Sequence, residues 1–235
     1  MLGIIGALDI EVNGIIEKMD DPQVKEISSL RFTSGTIEGT PCVVAKCGIG
    51  KVNAALCTQT MILLYNPDKI INTGIAGSTS SKTHIGSVVI ADKVVQHDFD
   101  TTLLGDEPGT LFLPDENIIY IPADKALEEE LSKVCEKLDD VDYTVGTVAT
   151  GDQFIGTLED RKAINDRFGA VACEMEGGSI AQVCYINKVP FSILRSISDD
   201  NSGDDSAQVE YTTFSKSAAE KAIEIITKFI LMNNE

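Results

Sequence analysis

The residue types best suited to acid–base chemistry are concentrated in two short segments far apart in the chain, CEMEGG (Cys173–Gly178) and ILRSISDD (Ile193–Asp200). These place Glu174, Glu176, Arg195 and Asp199 in otherwise apolar, strand-like surroundings. Ionised groups are costly to bury, so carboxylates and an arginine in such runs point to a site rather than to packing. If the first segment is a strand, Glu174 and Glu176 share a face and Met175 takes the other. Arg195 and Asp199 fall where the mostly apolar run Val189–Leu194 should end, and Glu11 lies just past the apolar run GIIGAL (Gly3–Leu8). In an open α/β sheet the ligand crevice lies at the carboxyl ends of the strands, which makes these acids a candidate active site.

The elements that must position them are legible as alternating patterns. Apolar, β-branched runs at Leu2–Ala7, Pro41–Cys47, Lys69–Thr73, Ser87–Asp92, Thr144–Thr150, Ala170–Cys173 and Pro190–Ile197 suit a sheet covered by helices on both faces. Helical spacing of apolar residues predicts helices over Gly50–Tyr65, Asp124–Leu138 and Phe214–Met232. The segment Val24–Ile37, with Thr40–Cys47 after the Glu38-Gly39 turn, predicts a hairpin appended to the sheet. Two long polar segments, Gln96–Asn117 and Asp200–Glu210, are expected to be lids or binding loops. At 235 residues, with no internal repeat or low-complexity linker, the whole chain (1–235) is expected to be one α/β domain.

Composition narrows the function classes. With 19 basic against 37 acidic residues and a net charge of −18, the chain is unsuited to nucleic acid or an anionic membrane surface. Hydrophobic runs are interrupted well before the roughly 18 residues a membrane span needs, and no basic leader precedes one. The six cysteines form no C-x-x-C pair and sit mostly in apolar runs, so they read as reduced core residues of a cytoplasmic protein. CGIGKVNAA (Cys47–Ala55) and INTGIAGS (Ile71–Ser78) look like turns from a strand into glycine. The first lacks Walker spacing and the third glycine of a dinucleotide fingerprint. No G-x-S-x-G elbow accompanies His84 or His97, and the acid beside Cys173 blunts it as a nucleophile. Asp98, Asp100 and the glutamates match no metal-loop spacing. His97-Asp98 is expected to be a loop pair, and the acids of Glu128–Glu130 and Asp204–Asp205 to form solvated faces.

In order and separation, GIIGALDIEV, CGIGKVNAA, NTGIAG, TGDQFI, CEMEGGSIAQVC and LRSISD resemble the 5′-methylthioadenosine/S-adenosylhomocysteine nucleosidases of the nucleoside phosphorylase superfamily, from Leu2 to about Phe229. The resemblance implies a twisted, mixed central sheet flanked by helices, a homodimer, and hydrolysis of 5′-substituted adenosines to release adenine without a cofactor or metal. It assigns Asp199 to protonation of the purine at N7 and Glu11 to the general base that orients water, with Glu174 and Arg195 holding that water. Glu176 would accept from the ribose hydroxyls, Met175 would pack on the sugar, and Phe154 would stack on the base. The backbone of Ile155 would read the 6-amino edge, and Ile49, Ile75, Leu104 and Tyr211 would complete the substrate pocket. Val52 and Asn53 stand where related phosphorylases tend to carry a phosphate-binding serine, and Glu11 beside a phosphate would repel it, which favours water as nucleophile.

Departures from the family pattern carry their own expectations. Ile75 replaces a serine or threonine that usually supports the catalytic aspartate, leaving Asp199 to rely on Ser198, Ser78 or water. A serine restored at position 75 is therefore expected to speed base release without a large change in stability. Leu104 and Asp106 in TTLLGDEPG (Thr101–Gly109) replace aromatic lid residues, which opens the 5′ pocket to other groups, as in 5′-deoxyadenosine or an aminodeoxyfutalosine-like compound.

Overall fold

The computed structural model describes residues 1–200 and 206–233. The strands are β1 (Leu2–Gly6), β2 (Asp20–Ile27), β3 (Leu30–Ile37), β4 (Thr40–Lys46), β5 (Lys69–Ser78), β6 (Val88–Gln96), β7 (Leu111–Phe112), β8 (Asn117–Ile118), β9 (Tyr120–Pro122), β10 (Tyr143–Thr150), β11 (Ala170–Glu174) and β12 (Phe191–Asp199). The helices are α1 (Asp9–Ile16), α2 (Lys51–Tyr65), α3 (Lys125–Glu136), α4 (Leu158–Phe168), α5 (Gly177–Asn187) and α6 (Ala207–Met232). No helix among the described residues is long and apolar enough to cross a membrane.

Among the described residues ten strands form one mixed sheet in the order β11-β10-β6-β12-β5-β1-β4-β3-β2, with β9 on β6. The sheet is not open, as the sequence suggested. β11 also pairs antiparallel with β5 through Ala172 with Ser78 and Cys173 with Gly77, so five strands close into a ring. All residues of β1 and β12 are buried, which explains the apolar run of β1 and the mostly apolar start of β12; the polar groups of β12, among them Arg195 and Asp199, are buried with them. On one face α2 and α5 pack through Ala54, Cys57, Met61, Ile180 and Cys184. On the other, α1, α3 and α6 pack through Val12, Ile15, Leu127, Leu131, Ile225 and Phe229. The six cysteines are free and buried.

Several local expectations change. The segment Val24–Ile37 is two strands rather than one, because Ser28 and Ser29 take left-handed φ values of 52° and 63° that turn β2 back on β3. NTGIAGS is strand, not turn: β5 runs through both glycines to Ser78. The helices α1, α4 and α5 are additional. α1 and α5 are short, 8 and 11 residues, and carry their apolar spacing over one or two turns, as Val12 with Ile15 and Ile180 with Cys184, while α4 buries Arg161 beside Ile164 and Phe168, a pattern no hydrophobic period reveals. Glu128, expected on a solvated face, is buried at the start of α3 and accepts from Lys125 Nζ at 2.6 Å. Helix α6 begins at Ala207, within the segment expected to be loop, whereas Asp204 and Asp205 lie outside the described residues.

Candidate active site

Glu11 occupies the first turn of α1 rather than a strand end, and its carboxylate folds back on the start of its own helix. Oε2 accepts from the backbone N–H of Ala7 at 2.6 Å and Leu8 at 2.9 Å, and Oε1 accepts from Ile75 N–H at 3.0 Å. A helix N-terminus offers unpaired donors and a favourable dipole to an anion. Burial nevertheless dominates and raises the Glu11 pKa above 4.5; the charge of Arg195 and the three amides pull it back only in part. The result is a carboxylate fixed in orientation and more basic than an exposed one.

Glu174 and Glu176 do not share a strand face. Glu174 closes β11, and Glu176 is the N-cap of α5 with φ −130° and ψ −40°. The chain turns at Met175, and this bend brings both acids to one place. Glu174 accepts from Thr150 Oγ1, from Arg195 Nη2, and from the amides of Glu176 at 3.0 Å and Gly177 at 2.7 Å. Both of its oxygens are thus already engaged. Arg195 is fully buried and also donates to Asn72 Oδ1. Glu176 has a lighter load: Oε1 accepts from Gly50 N–H at 2.9 Å, and Oε2 lies 3.9 Å from Arg195 Nη2. Burial and the neighbouring Glu174 charge push its pKa up to about 7 against the pull of Arg195.

Asp199 ends β12 and is 2 % exposed. Ser198 Oγ donates to its Oδ1 at 2.6 Å, and Arg161 Nη2 donates to its Oδ2 in a buried ion pair. Ser78, the other hydroxyl expected to help, turns away to Ser80 and Thr83. The partner missed in the sequence is Arg161. Its position in the polar helix LEDRKAINDRF resembles any surface arginine, and only tertiary packing buries it to 3 % exposure. Two glycines of β5 make room for these groups. A Cβ on Gly77 would lie 2.8 Å from Asp199 Oδ2, and one on Gly74 would lie 2.6 Å from Glu11 Oε1 and collide with Arg195 Nη1. The carboxylates of Glu11 and Asp199 therefore contact β5 at Ile75 and Gly77, two residues or about 7 Å apart.

These groups border a cavity of about 830 Å³, ample for a nucleoside. Of the residues expected in the site, Glu11, Ile49, Ile75, Phe154, Ile155, Glu174, Met175, Glu176, Asp199 and Tyr211 line it. Phe154 and Tyr211 meet edge to face, with ring centroids 5.7 Å apart. Arg195 lies in the buried layer against Glu174 instead of in the lining. Leu104 is also outside the lining and is 83 % exposed, because a short 3-10 turn at Thr102–Leu104 carries it on the surface.

A second polar network braces the rim. Lys51 Nζ donates to Asp98 Oδ1 at 2.6 Å, Asp152 N–H donates to Asp98 Oδ2 at 2.8 Å, and Lys51 N–H donates to Asp152 Oδ1 at 2.8 Å. The loops after β4, β6 and β10 are so tied together, and Asp98 is committed to Lys51 instead of to His97. Among the described residues, Arg161 is the sole cation lining the cavity, against four carboxylates.

The sequence profile described as the Phosphorylase superfamily matches residues 1–231. The 5′-methylthioadenosine/S-adenosylhomocysteine nucleosidase of Shewanella loihica is 40% identical over 204 residues, 86% of this chain and 87% of that protein. Among solved structures, the corresponding nucleosidase of Neisseria meningitidis, in complex with methylthio-immucillin-A, superposes with a TM-score of 0.90 at 29% identity over 97% of each chain. The futalosine hydrolase of Helicobacter pylori also superposes with a TM-score of 0.90, at 30% identity over 98% of this chain and 97% of that one. Motifs, closed mixed sheet and cavity agree with these likenesses: the chain belongs to the Phosphorylase superfamily and, within it, to the 5′-methylthioadenosine/S-adenosylhomocysteine nucleosidases.

Proposed function

We infer that the protein hydrolyses the N-glycosidic bond of 5′-methylthioadenosine, S-adenosylhomocysteine or a related 5′-substituted adenosine, releasing adenine. The observation that carries this reading is the charge of the cavity: four carboxylates against Arg161, which is already committed to Asp199. A phosphate dianion needs donors free to receive it, typically arginines, and the buried Arg195 is likewise paired, with Glu174. Water carries no such demand.

Breaking the bond between the sugar carbon and N9 builds positive charge on the ribose and sends an electron pair to the base. A proton must reach the purine and a nucleophile must reach the carbon. Asp199, paired as a carboxylate with Arg161 at rest, takes up a proton from solvent and passes it to N7, and the carboxylate left behind is again held by Arg161 and Ser198. Glu11 takes a proton from the attacking water. Solvent exchange then resets both acids. Glu176, the less heavily engaged glutamate, accepts from the ribose hydroxyls, and Met175 lies against the sugar. Glu174, saturated by its own donors, holds Arg195 and the start of α5 in place. Phe154 and Tyr211 enclose the base and the 5′ side.

The chain acts as one domain in the reducing cytoplasm, consistent with its six free buried thiols, and assembles as a homodimer. Leu104 is too exposed to serve the cavity of its own chain, which supports a place for it beside a partner's 5′ pocket. The test is adenine release from 5′-methylthioadenosine, S-adenosylhomocysteine, 5′-deoxyadenosine and an aminodeoxyfutalosine-like nucleoside, each with and without phosphate. Release independent of phosphate is expected. A strict phosphate requirement would establish phosphorolysis, and tight nucleoside binding with no adenine after hours would establish a binding protein.

A further inference from the structure

Adenine presents two adjacent polar groups on one edge, the N7 acceptor and the 6-amino donor. The two groups assigned to that edge, the Asp199 carboxylate and the Ile155 carbonyl, come from distant parts of the chain, the end of β12 and the loop after β10. One guanidinium joins them. Arg161 Nη2 donates to Asp199 Oδ2, Nη1 donates to the Asp199 carbonyl at 2.9 Å and to the Ser78 carbonyl at 3.0 Å, and Nε donates to the Ile155 carbonyl at 3.1 Å. We propose that Arg161 is a positioning residue that sets the Asp199 carboxylate and the Ile155 carbonyl in register with N7 and the 6-amino group of the leaving base.

Geometry favours an arginine for this task. The planar guanidinium carries five donors in a rigid fork, so it fixes the relative placement of its acceptors; a lysine ammonium has no such plane. Each carbonyl oxygen has two lone pairs, so Ile155 can accept from Arg161 and from the 6-amino group together. Thr157 caps the start of α4 by accepting from Asp160 N–H at 3.1 Å, which anchors the helical turn that presents Arg161. The protein thereby supplies, from α4, support for Asp199 that the resemblance led one to expect from position 75.

This inference rests on the assignment of Asp199 to N7, and a double-mutant cycle separates the two. Arg161→Met is expected to lower kcat by about 10²-fold, the scale of a displaced catalytic group, with a smaller change in KM. In the Asp199→Asn background the same substitution is expected to cost less than about 3-fold, because the group it acts through is already disabled. A purely structural role would give equal losses in both backgrounds, and that result, or an unimpaired Arg161→Met enzyme, overturns the proposal. Near-normal turnover of Asp199→Asn alone overturns the N7 assignment instead. The ratio of kcat/KM for the 6-amino over the 6-oxo form of a 5′-methylthio nucleoside is expected to fall by about 10-fold in Arg161→Met, the worth of one hydrogen bond; an unchanged ratio removes Ile155 from the scheme. Arg161→Lys should recover part of kcat but not this ratio. If Arg161→Met does not fold, Arg161→Lys taken through the same cycle decides by the same criteria.

Discussion

The backbone N–H of Ile75 donates to Glu11 Oε1 at 3.0 Å, so the residue expected from the sequence to depart from the family pattern serves Glu11, the proposed general base, through its main chain. Its side chain packs with Ala218 and Ala219, and against Leu8 and Tyr211. Both oxygens of Asp199 already have donors in Ser198 and Arg161. The acceleration expected for Ile75→Ser from the sequence is therefore replaced by a different outcome. Adenine release should be no faster than in the parent, and stability should drop by about 2–4 kcal/mol from the cavity and the buried hydroxyl. Steady-state rates and thermal melts check both; a several-fold faster enzyme would show that the new hydroxyl reaches Asp199 despite its existing donors.

Glu11→Gln removes the proposed base while keeping much of its shape, and adenine release should fall by at least about 10²-fold. Because burial raises the Glu11 pKa above 4.5 and the base acts ionised, kcat/KM of the parent should decline with falling pH along a limb that begins above the ordinary carboxylate range. The residual rate of Glu11→Gln should lack the contribution of this group to the limb. A variant as fast as the parent at every pH would move water activation elsewhere.

Asp199→Asn should retain nucleoside binding and lose at least about 10²-fold in turnover, as expected when a general acid is removed. Titration with 5′-methylthioadenosine, alongside single-turnover adenine release, distinguishes lost chemistry from lost binding. Weakened binding with an unchanged chemical step would contradict the assigned role.

Glu176 couples pH to stability. Its pKa is about 7 in the folded protein against an ordinary 4.5, so between these values the folded state holds a proton that the unfolded chain releases. The contribution is fully present below pH 4.5 and is lost as pH rises through about 7, up to about 3 kcal/mol. Glu176→Gln has no such proton to lose, so its stability relative to the parent should improve by about that amount between pH 4.5 and pH 8. Denaturant titrations across this range check the sign; a flat difference would mean that Glu176 ionises normally.

Leu103 and Leu104 are almost wholly exposed, and Val52 and Leu63 on α2 are more than 70 % exposed. Light scattering should give a dimer at micromolar concentration. Leu103→Glu with Leu104→Glu should raise KM for 5′-thioadenosines and shift the protein toward monomer. A fully active monomeric parent would refute the shared pocket.

The acids at Glu11, Glu174, Glu176 and Asp199, the apolar strands and the long helices α2, α3 and α6 were legible because each leaves a local mark: a charge in an apolar run, or a periodic apolar stripe. The motif order carried the family. Other features depended on contacts between distant segments. Closure of β11 on β5, the bend that separates Glu174 from Glu176 yet keeps both at the cavity, and the course of β5 through its glycines are set by what packs on either side. Arg161 is the plainest case. Its helix is polar in sequence, and nothing local distinguishes a solvated arginine from one buried against Asp199, Ser78 and Ile155. The sequence alone determined which chemical groups were present, since side-chain identity is local. The tertiary structure decided which of them share a proton, a charge or an orientation, because desolvation and pairing exist only once the chain has closed around them.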